Sequence, residues 1–432
     1  MPTRGMTRRQ FVKTAGAATG LSLAGNTARS AVGANERIVV GFIGTGGQAA
    51  AHLNELIRMD DVVVAGLCDV DAGRREAAAK VVGGSPKLFG DFRKLLEMKE
   101  LDAVFVVTPD HWHAIPTIQA LDSGKHVYFE KPAAHNIREG RAIVEAAERS
   151  GRVAQIGTQQ RSGRHWQNAV TRIKNGELGK ISMVHAWNAW NPQEMFGNIG
   201  RPEDSAPPKG VDYDLWLGPA PKRPFNPSHF HGTWYFFWDY AGAMISGWGV
   251  HLFDVVLWAM GPGIKTVSTA GGRLVFDDVR ETPDTAMAVF ECPGYTLTYS
   301  MRHGNGWRPH GDMDHGIEFF GTEGTLHINR GGYQVYRDSD RSSRKPLHSE
   351  RMEGHDYTLF EHKRHFFDCI RTGSKCRSDA LTGHLSSIPG HLANISYRVG
   401  RKIAWDAQEE TIVDDREATR FLGREYRSPW RL

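Results

Sequence analysis

Two short polar segments carry the side chains best suited to chemistry, and each follows an apolar run that reads as a β-strand. The first is Thr108-Pro109-Asp110-His111-Trp112-His113, and the second is Glu130-Lys131-Pro132. A lysine held at the end of a strand can donate a hydrogen bond to a hydroxyl group or to a developing alkoxide. Pro132 favours an extended backbone at the preceding residue and so restricts Lys131. The alternative interpretation is an ordinary surface lysine at a strand end.

A glycine turn between a strand and a helix predicts a phosphate site. The apolar run 38–43 leads into Gly44, Gly46 and Gly47, and an alanine-rich helical pattern follows. Glycine permits a tight turn and lets the backbone approach a pyrophosphate, while the helix N-terminus offers free N–H groups. A second apolar strand ends at Asp69, at the distance expected for a carboxylate that binds ribose. The pattern predicts that the chain binds a nicotinamide dinucleotide.

The choice between the two nicotinamide dinucleotides depends on the acid after the second strand. Asp69 can accept hydrogen bonds from both ribose hydroxyls, but it would repel the 2′-phosphate of NADP. We therefore expect NAD. NADP stays possible, because Arg74 and Arg75 in the next predicted helix could reach such a phosphate.

The elements that must position these residues show two different patterns of predicted secondary structure. Strands and helices alternate from residue 37 to about 155, which predicts a parallel sheet with helices on both faces. After a Pro-rich aromatic insertion at 191–231, closely spaced strand patterns recur over 265–337, which favours an antiparallel sheet. The polar stretch 338–352 is predicted to be a surface loop. The fold class is thus α/β, with an N-terminal Rossmann (doubly wound parallel sheet) domain and a C-terminal α/β domain with a large open mixed or antiparallel sheet.

The N-terminal segment reads as an export signal. Thr7-Arg8-Arg9-Gln10-Phe11-Val12-Lys13 matches a twin-arginine signal and precedes a weakly apolar stretch at 14–24. That stretch is too short to span a bilayer, so we expect no membrane anchor. The predicted divisions are a signal at 1–34, a dinucleotide-binding domain at 35–155 and a substrate-binding and oligomerisation domain at 156–432, with the protein folded in the cytoplasm and exported to the periplasm. The alternative is a flexible basic tail.

Charge gives no reason to expect nucleic acid as a partner. The signal holds five of the 53 basic residues and no acid, so the remaining chain has 48 basic against 49 acidic residues, a net charge of −1. Its four cysteines show no zinc spacing, and no metal is expected. The sequence does not decide whether Cys369 and Cys376 form a disulfide.

With these motifs the chain resembles the Gfo/Idh/MocA oxidoreductase family over residues 37–405. The resemblance rests on G-F-I-G-T-G-G (41–47), C-D-V-D (68–71), T-P-D-H-W-H (108–113), E-K-P (130–132), I-G-T-Q-Q-R (156–161) and G-W-G-V-H-L-F-D (247–254). It implies catalysis by Lys131 and His251, the latter as base. Cofactor contacts are expected from Gly44, Gly46, Gly47, Asp69, Thr108, Pro109, His113, Glu130, Lys131 and Gln159. Substrate contacts are expected from Arg161, Trp234, Tyr235 and Asp254.

The chain departs from the family pattern at three positions. Gly247 stands where the family has an aspartate, Asp110 replaces a more usual asparagine, and Tyr235 replaces a frequent arginine. Asp254, one helical turn after His251, could orient that histidine, and Asp239 is another candidate substitute. Gly247→Asp is expected to be tolerated if the geometry otherwise follows the family, and to be harmful if glycine is needed for space or backbone.

The resemblance implies an NAD(P)-dependent oxidoreductase that acts on a hydroxyl of a sugar, polyol or glycoside, assembled as a dimer or tetramer. Two other functions stay open. One is a glycoside-cleaving enzyme that uses tightly bound NAD transiently, by oxidation followed by elimination. The other is a non-catalytic sugar-binding homologue, which the glycine at position 247 makes credible.

Overall fold

Two β-sheets organise the chain in the computed structural model, which describes residues 37–190, 197–308, 313–339, 345–352 and 358–432. The predicted signal lies outside these residues, as do the first six residues of the insertion. Among the described residues, no helix is long and apolar enough to cross a membrane.

The first sheet is a six-stranded parallel sheet with the strand order β3-β2-β1-β4-β5-β6. Its central strands are fully buried and rich in valine, isoleucine and phenylalanine, because helices cover both faces. The order reverses between β1 and β4, which opens a crevice at the carboxyl ends of the strands. The strands are β1 (Ile38–Ile43), β2 (Val62–Cys68), β3 (Lys87–Phe89), β4 (Ala103–Val106), β5 (His126–Phe129) and β6 (Ala154–Ile156).

The second sheet has ten strands in the order β14-β13-β12-β11-β7-β10-β9-β8-β15-β16. Among its described strands only the β7–β10 pair is parallel, so the sheet is mixed, one of the two forms that the sequence predicts. The strands are β7 (Ile181–Ala189), β8 (Thr266–Gly272), β9 (Thr285–Cys292), β10 (Tyr295–Arg302), β11 (His315–Gly321), β12 (Gly324–Asn329), β13 (Gly332–Arg337), β14 (His348–Arg351), β15 (Ile403–Asp406) and β16 (Thr411–Val413).

Helices cover one face of the large sheet and both faces of the small one. In β9 and β10 buried and exposed residues alternate, so one face of the large sheet packs on the core and the other faces solvent. The α-helices are Gly47–Leu56, Ala72–Val82, Phe92–Leu96, Ala114–Asp122, Ile137–Ser150, Arg164–Lys174, Tyr213–Leu217, Ala243–Gly247, Gly249–Met260, Thr358–Thr372, Ala380–Val399 and Arg416–Thr419.

The last part of the chain returns to the first sheet. Phe366 and Phe367, from the helix Thr358–Thr372, pack against Phe105 in β4, and Trp430 packs edge-on against Trp112. Residues after 156 therefore complete the core of the N-terminal domain as well as their own. The domain limits at 35–155 and 156–432 stay a prediction.

One local prediction is wrong. The stretch 338–352 was expected to be a surface loop, but β14 forms within it and pairs with β13. The strands β3, β15 and β16 were also missed. They are three or four residues long, and pairing with a neighbouring strand stabilises them more than their own sequence pattern does.

Candidate active site

The glycine turn after β1 has the geometry that a phosphate site requires. Gly44 has φ +87°, and a Cβ there would lie 2.4 Å from the carbonyl oxygen of Val107, so only glycine fits. A Cβ at Gly47 would meet no atom within 4 Å, which leaves open space above the N-terminus of the helix Gly47–Leu56. The free N–H groups of that helix end face the space that a pyrophosphate needs.

Asp69 lies at the end of β2 and is held by the backbone around it. Its Oδ2 accepts a hydrogen bond from the Thr45 amide at 2.7 Å, and its Oδ1 accepts one from the Asp71 amide at 3.0 Å. Arg74 reaches over the turn, since its Nη1 would lie 2.5 Å from a Cβ at Gly46. A carboxylate and a guanidinium therefore stand together where the ribose of a dinucleotide would bind.

A cavity of about 560 Å³ extends from this turn along the carboxyl ends of the strands. Most of the predicted cofactor residues line it, as do two of the predicted substrate residues. These are Gly44, Gly46, Gly47, Asp69, Thr108, Pro109, His113, Glu130, Lys131, Trp234 and Tyr235. Aromatic side chains that no prediction assigned to the site complete its wall, namely Phe92, Trp112, Trp190, Trp216 and Trp248.

Lys131 projects from the end of β5 into this cavity. Its ammonium donates a hydrogen bond to the carbonyl oxygen of Gly247 at 3.1 Å. The interpretation of Lys131 as an ordinary surface lysine is therefore wrong, since the side chain is partly buried and faces the cavity.

Glu130 lines the cavity, but its carboxylate is committed to protein groups. Its Oε1 accepts a hydrogen bond from His52 Nε2 at 2.8 Å, and its Oε2 accepts one from the Lys131 amide. Burial disfavours the charged form, but the His52 hydrogen bond and the nearby positive charges lower the pKa of Glu130 to about 2. Burial lowers the pKa of His52, and the hydrogen bond and charge of Glu130 oppose this shift.

His113 ties the two polar segments together. Its ring nitrogens lie 2.7 Å from the carbonyl oxygen of Pro132 and 2.9 Å from that of Thr108. Burial lowers the pKa of the imidazole, so at neutral pH it donates to one carbonyl at a time. The histidine holds the loop after β4 against the loop after β5.

Asp110 is buried in the cavity wall between these loops. Among the described residues its Oδ2 has no hydrogen-bond partner. Burial raises the pKa of this carboxyl group to about 7, although the charge of Lys131 opposes the shift. The sequence identified Asp110 only as a departure from the family asparagine and assigned it no role. The unusual residue type at position 110 was the sequence signal that could have indicated Asp110 as a residue of the site.

Tyr235 occupies the space beside Gly247. A Cβ at Gly247 would lie 2.5 Å from the Tyr235 hydroxyl oxygen and 2.5 Å from its ring. Burial, together with the nearby charge of Asp110, raises the pKa of the phenol well above its ordinary value. The structure thus shows what replaces a side chain at position 247, namely the ring of Tyr235.

His251 lies in the helix Gly249–Met260, outside the residues that line the cavity. Its ring packs edge-on against Trp248, with 5.2 Å between the ring centres. Burial lowers its pKa well below the ordinary value, and the positive charges of Arg330 and Lys131 add to the shift. The imidazole is therefore neutral, and its role as the catalytic base stays a prediction.

Asp254 and Arg161 form a buried ion pair, and neither lines the cavity. Arg161 Nε donates to both carboxylate oxygens of Asp254, at 2.8 and 3.0 Å, and Ser386 donates to Oδ1 at 2.6 Å. Asp254 is fully buried. The hypothesis that it orients His251 is therefore wrong, and direct substrate contact by this pair is not supported.

Two other expected residues also lie elsewhere. Gln159 is outside the lining, and its amide contacts the carbonyl oxygen of Gly157 and the guanidinium of Arg330. Asp239 pairs with Arg223, and it lines a separate cavity, so it does not replace a carboxylate at position 247.

Aromatic residues of the insertion and of the segment that follows it form a small core of their own. It contains Trp216, Leu217, Ala220, Phe225, Phe230, Phe236, Phe237, Tyr240 and Ala243. The insertion is fastened to the first domain by His231, whose Nε2 lies 2.8 Å from Asp71 Oδ2. This contact places His231, Trp234 and Tyr235 over the cavity.

The cysteines lie outside the cavity apart from Cys68, and all four are free thiols. Among the described residues one group has ligand atoms close enough to share a metal ion, within 4.8 Å of one another: His365, Cys369 and Cys376. The structure shows no disulfide between the two cysteines.

A parallel sheet with a glycine turn at its switch point, followed by an open mixed sheet, defines a two-domain dinucleotide-binding protein. Models of two related domains match this chain. The oxidoreductase family, NAD-binding Rossmann fold, matches residues 38–158, and the oxidoreductase family, C-terminal alpha/beta domain, matches residues 181–267. Over these residues the chain matches the Gfo/Idh/MocA family of oxidoreductases. Its cofactor site is the NAD site of that Rossmann domain.

Curated relatives have diverse names. The chain is 31% identical over 147 residues to an inositol 2-dehydrogenase of Salmonella typhimurium, which is 34% of this chain and 44% of the relative. It is 28% identical over 201 residues to a glycosyl hydrolase family 109 protein of Shewanella, covering 40% of this chain and 44% of the relative. These matches span less than half the length of either relative.

Solved structures confirm the fold over most of the chain. A WlbA dehydrogenase from Bordetella pertussis, in complex with NADH and UDP-GlcNAcA, has a TM-score of 0.64 at 20% identity, covering 86% of this chain and 99% of that one. A levoglucosan dehydrogenase, in complex with NADH and levoglucosan, has a TM-score of 0.68 at 18% identity, covering 85% and 99%.

Proposed function

We propose that the protein is an NAD-dependent oxidoreductase that oxidises or reduces one hydroxyl-bearing carbon of a sugar, polyol or glycoside. The observation that carries the proposal is the position of Lys131. Its ammonium enters, from the end of β5, a cavity that is continuous with the glycine turn and walled by tryptophan and tyrosine rings. Aromatic rings suit the apolar faces of a sugar, while an ammonium suits its hydroxyl groups.

Residues at one end of the cavity suit cofactor binding, and residues at the other end suit contact with the substrate. The glycine turn, the helix N-terminus and Asp69 fit the pyrophosphate and ribose of a dinucleotide. Lys131 follows β5, three strand spacings or roughly 14 Å along the sheet edge from Asp69 at the end of β2. When bound, the nicotinamide supplies the hydride acceptor or donor. Lys131 then stabilises the negative charge that develops on the substrate oxygen.

The named relatives support this substrate class. The inositol 2-dehydrogenase and the levoglucosan dehydrogenase take their names from a polyol and a sugar anhydride. The test is a panel of monosaccharides, disaccharides, inositols and glycosides offered to the purified protein with NAD, with NADH formation and carbonyl products measured. A keto product with net NADH supports the proposal, and no turnover of any hydroxyl substrate by the folded, NAD-binding protein contradicts it.

A second function is favoured by the similarity to glycosyl hydrolase family 109 proteins. Oxidation of one carbinol acidifies the neighbouring C–H bond and permits elimination of the aglycone, after which reduction restores the cofactor. Such an enzyme would release free sugar from a glycoside without net NADH. The same panel therefore separates the two functions by product analysis.

We also propose that the protein is exported folded through the twin-arginine pathway. The support is the segment Thr7–Lys13, with Arg8 and Arg9 in the required pair. Replacing both arginines by lysine in a reporter fusion should retain the reporter in the cytoplasm. Export of the double variant at the normal level would contradict the signal.

Assembly into a homo-oligomer is proposed from the second sheet. On its solvent face β9 exposes Met287 and Val289, and Met183 of β7 is also exposed. Exposed apolar side chains on a broad sheet are typical of subunit interfaces. Light scattering after size-exclusion chromatography tests this, and a monomer of 48.1 kDa at micromolar concentration would contradict it.

A further inference from the structure

We propose that His365, Cys369 and Cys376 form a zinc site that ties the helix Thr358–Thr372 to the loop that follows it. None of the three residues lines the cavity that contains Lys131, so the site is separate from the dinucleotide site and does not depend on the proposed function. The proposal departs from the expectation of no metal, which rested on the spacing of the cysteines along the chain. That spacing contains no distances across a helix end.

The three side chains have the spacing of zinc ligands. Their ligand atoms all lie within 4.8 Å of one another. The sulfur of Cys369 lies 3.7 Å from His365 Nδ1 and 3.8 Å from Nε2. Zinc binds sulfur at about 2.3 Å and nitrogen at about 2.0 Å, so a sulfur and a nitrogen on one tetrahedral zinc ion lie roughly 3.6 Å apart. Only a small side-chain adjustment therefore separates this group from a bound geometry.

The end of the helix brings the third ligand back beside the first two. His365 and Cys369 are four residues apart, so they share one face of the helix. The Gly373 amide donates to the carbonyl oxygen of Cys369 at 2.9 Å, and Gly373 has φ +69°, which ends the helix and reverses the chain. Cys376 then returns to the last turn of the helix. The arrangement is built by backbone structure and not by flexible surface side chains.

A buried amide from another element orients the imidazole. Gln155 lies in β6 and is fully buried, and its Nε2 donates to the carbonyl oxygen of His362 at 2.8 Å. This bond turns its Oε1 toward His365 Nδ1, at 3.4 Å. An N–H donated from Nδ1 to that oxygen leaves Nε2 to bind metal. Histidine ligands of metal ions usually donate their other ring N–H to a protein oxygen in this way.

The donor set selects zinc among the common divalent cations. Two sulfurs and one imidazole nitrogen suit zinc, whereas magnesium and calcium take oxygen ligands. Zinc binds the cysteines as thiolates, and the two thiol protons pass to the solvent. Two thiolates balance the charge of the ion, so no net charge enters the interior in which Cys369 and Cys376 are buried. His365 is partly exposed, and water that reaches the ion past it completes the tetrahedron.

The position of the site indicates a structural role. The residues just after Cys376 contact the edge of the first sheet, where the Ile156 amide donates to the carbonyl oxygen of Ser378 at 2.9 Å. The helix itself packs on that sheet through Phe366 and Phe367. Zinc therefore joins two segments that both cover the dinucleotide-binding sheet. A ligand that binds only the folded chain stabilises it, so zinc raises the stability of that part of the protein.

Cobalt is the probe for the first test, because it occupies zinc sites and absorbs visible light. The full-length protein is treated with a phosphine reductant and a chelator, freed of both, and titrated with Co²⁺ alone. We expect saturation at about one equivalent per chain, with the absorption of tetrahedral cobalt and a thiolate-to-cobalt charge-transfer band. Added Zn²⁺ should displace the cobalt and remove both signals. Surface histidines that bind cobalt give no charge-transfer band, and the measurement needs neither substrate nor NAD.

Three variants assign the signal to residues. Cys369→Ser and Cys376→Ser should each reduce the charge-transfer band. Their affinity for Zn²⁺ should fall by more than about 10–100-fold, the typical cost of removing only a residue that orients a metal ligand. The matched control is Cys292→Ser, which removes a buried thiol from β9, outside the cluster, and should keep the full band. Saturating Zn²⁺ should raise the Tm of the wild type and of Cys292→Ser, and should leave the Tm of the other two variants nearly unchanged.

Each result decides the proposal. A thiolate–cobalt band in the wild type that either serine variant at position 369 or 376 loses supports the site. A reduced, folded wild type that shows no such band overturns it, and this result holds even if the variants fail to fold. An undiminished band in Cys369→Ser and Cys376→Ser also overturns it. So does isolation of the mature protein with these two cysteines joined in a disulfide, detected by peptide mass spectrometry. Failure of every sugar substrate would refute the proposed function and leave the zinc site unaffected.

Discussion

The ammonium of Lys131 donates a hydrogen bond to the carbonyl oxygen of Gly247, at 3.1 Å and across 116 residues of sequence. The contact joins the end of β5 to the segment that precedes the helix Gly249–Met260. It aims the charged end of a long, flexible side chain into the cavity, so less freedom remains to be lost when a substrate binds.

Replacing Lys131 by methionine should abolish most turnover, with a loss of about 10²–10⁴-fold, because the developing charge on the substrate oxygen loses its donor. Dinucleotide affinity should change little. Assays of kcat beside NADH titration check both expectations. The matched control is Lys87→Met, whose ammonium pairs with Glu100 at the surface and should not affect turnover. Normal kcat in Lys131→Met would refute the proposed role.

Gly247→Ala should lower the free energy of unfolding by about 1–3 kcal/mol, because the added methyl group must displace the Tyr235 ring. Gly247→Asp should be at least as harmful, which is the outcome expected where glycine is needed for space. Denaturant unfolding checks this, with Gly73→Ala as a control, since its Cβ meets nothing closer than 3.4 Å. In a Tyr235→Ala background the cost of Gly247→Ala should shrink, and an unchanged cost would show that Tyr235 is not its cause.

The wild type should bind NAD more tightly than NADP, because the Asp69 carboxylate stands at the ribose position. Asp69→Asn keeps an acceptor for the Thr45 amide and removes the charge, so its affinity for NADP should rise. Titration of both proteins with both reduced cofactors measures the effect. Tighter NADP binding by the wild type would assign the dominant role to Arg74.

Asp254→Ala should destabilise the protein by about 3–5 kcal/mol, because Arg161 would lose the partner of a buried ion pair. The double variant Arg161→Met/Asp254→Ala should recover part of that loss. A double-mutant cycle of unfolding free energies gives the coupling. If Asp254→Ala is stable and mainly raises KM, the residue contacts substrate after all.

Stability should fall in acid partly through Glu410. Burial favours its neutral form, but hydrogen bonds from His384 and Arg141 lower the pKa to about 2 in the folded protein. A depressed carboxylate pKa stabilises the fold above the ordinary value of 4.5, and this contribution disappears as the pH falls through about 2. Glu410→Gln should therefore lose stability at neutral pH and show a flatter dependence between these values. Equal slopes in both proteins would contradict the assignment.

Local sequence signals were sufficient for five of the six strands of the first sheet and for its glycine turn. Apolar runs without alternation mark strands buried on both faces, and Gly44 is required because the Val107 backbone leaves no room for a Cβ. Lys131 was also found from sequence, since the carboxyl ends of parallel strands meet at one edge whatever the remaining fold. Short strands such as β14 and β15 were missed because distant partners stabilise them.

The sequence by itself determined the fold class, the dinucleotide site and the position of Lys131 at the end of β5, because each depends on residues close together along the chain. Only the tertiary structure decided which distant side chains share the remaining space. It brought Tyr235 against Gly247, paired Asp254 with Arg161 and left one buried carboxylate oxygen of Asp110 without a hydrogen-bond partner among the described residues. Such contacts depend on how loops from different strands meet, and a pattern of residue types along one chain contains no distances between them.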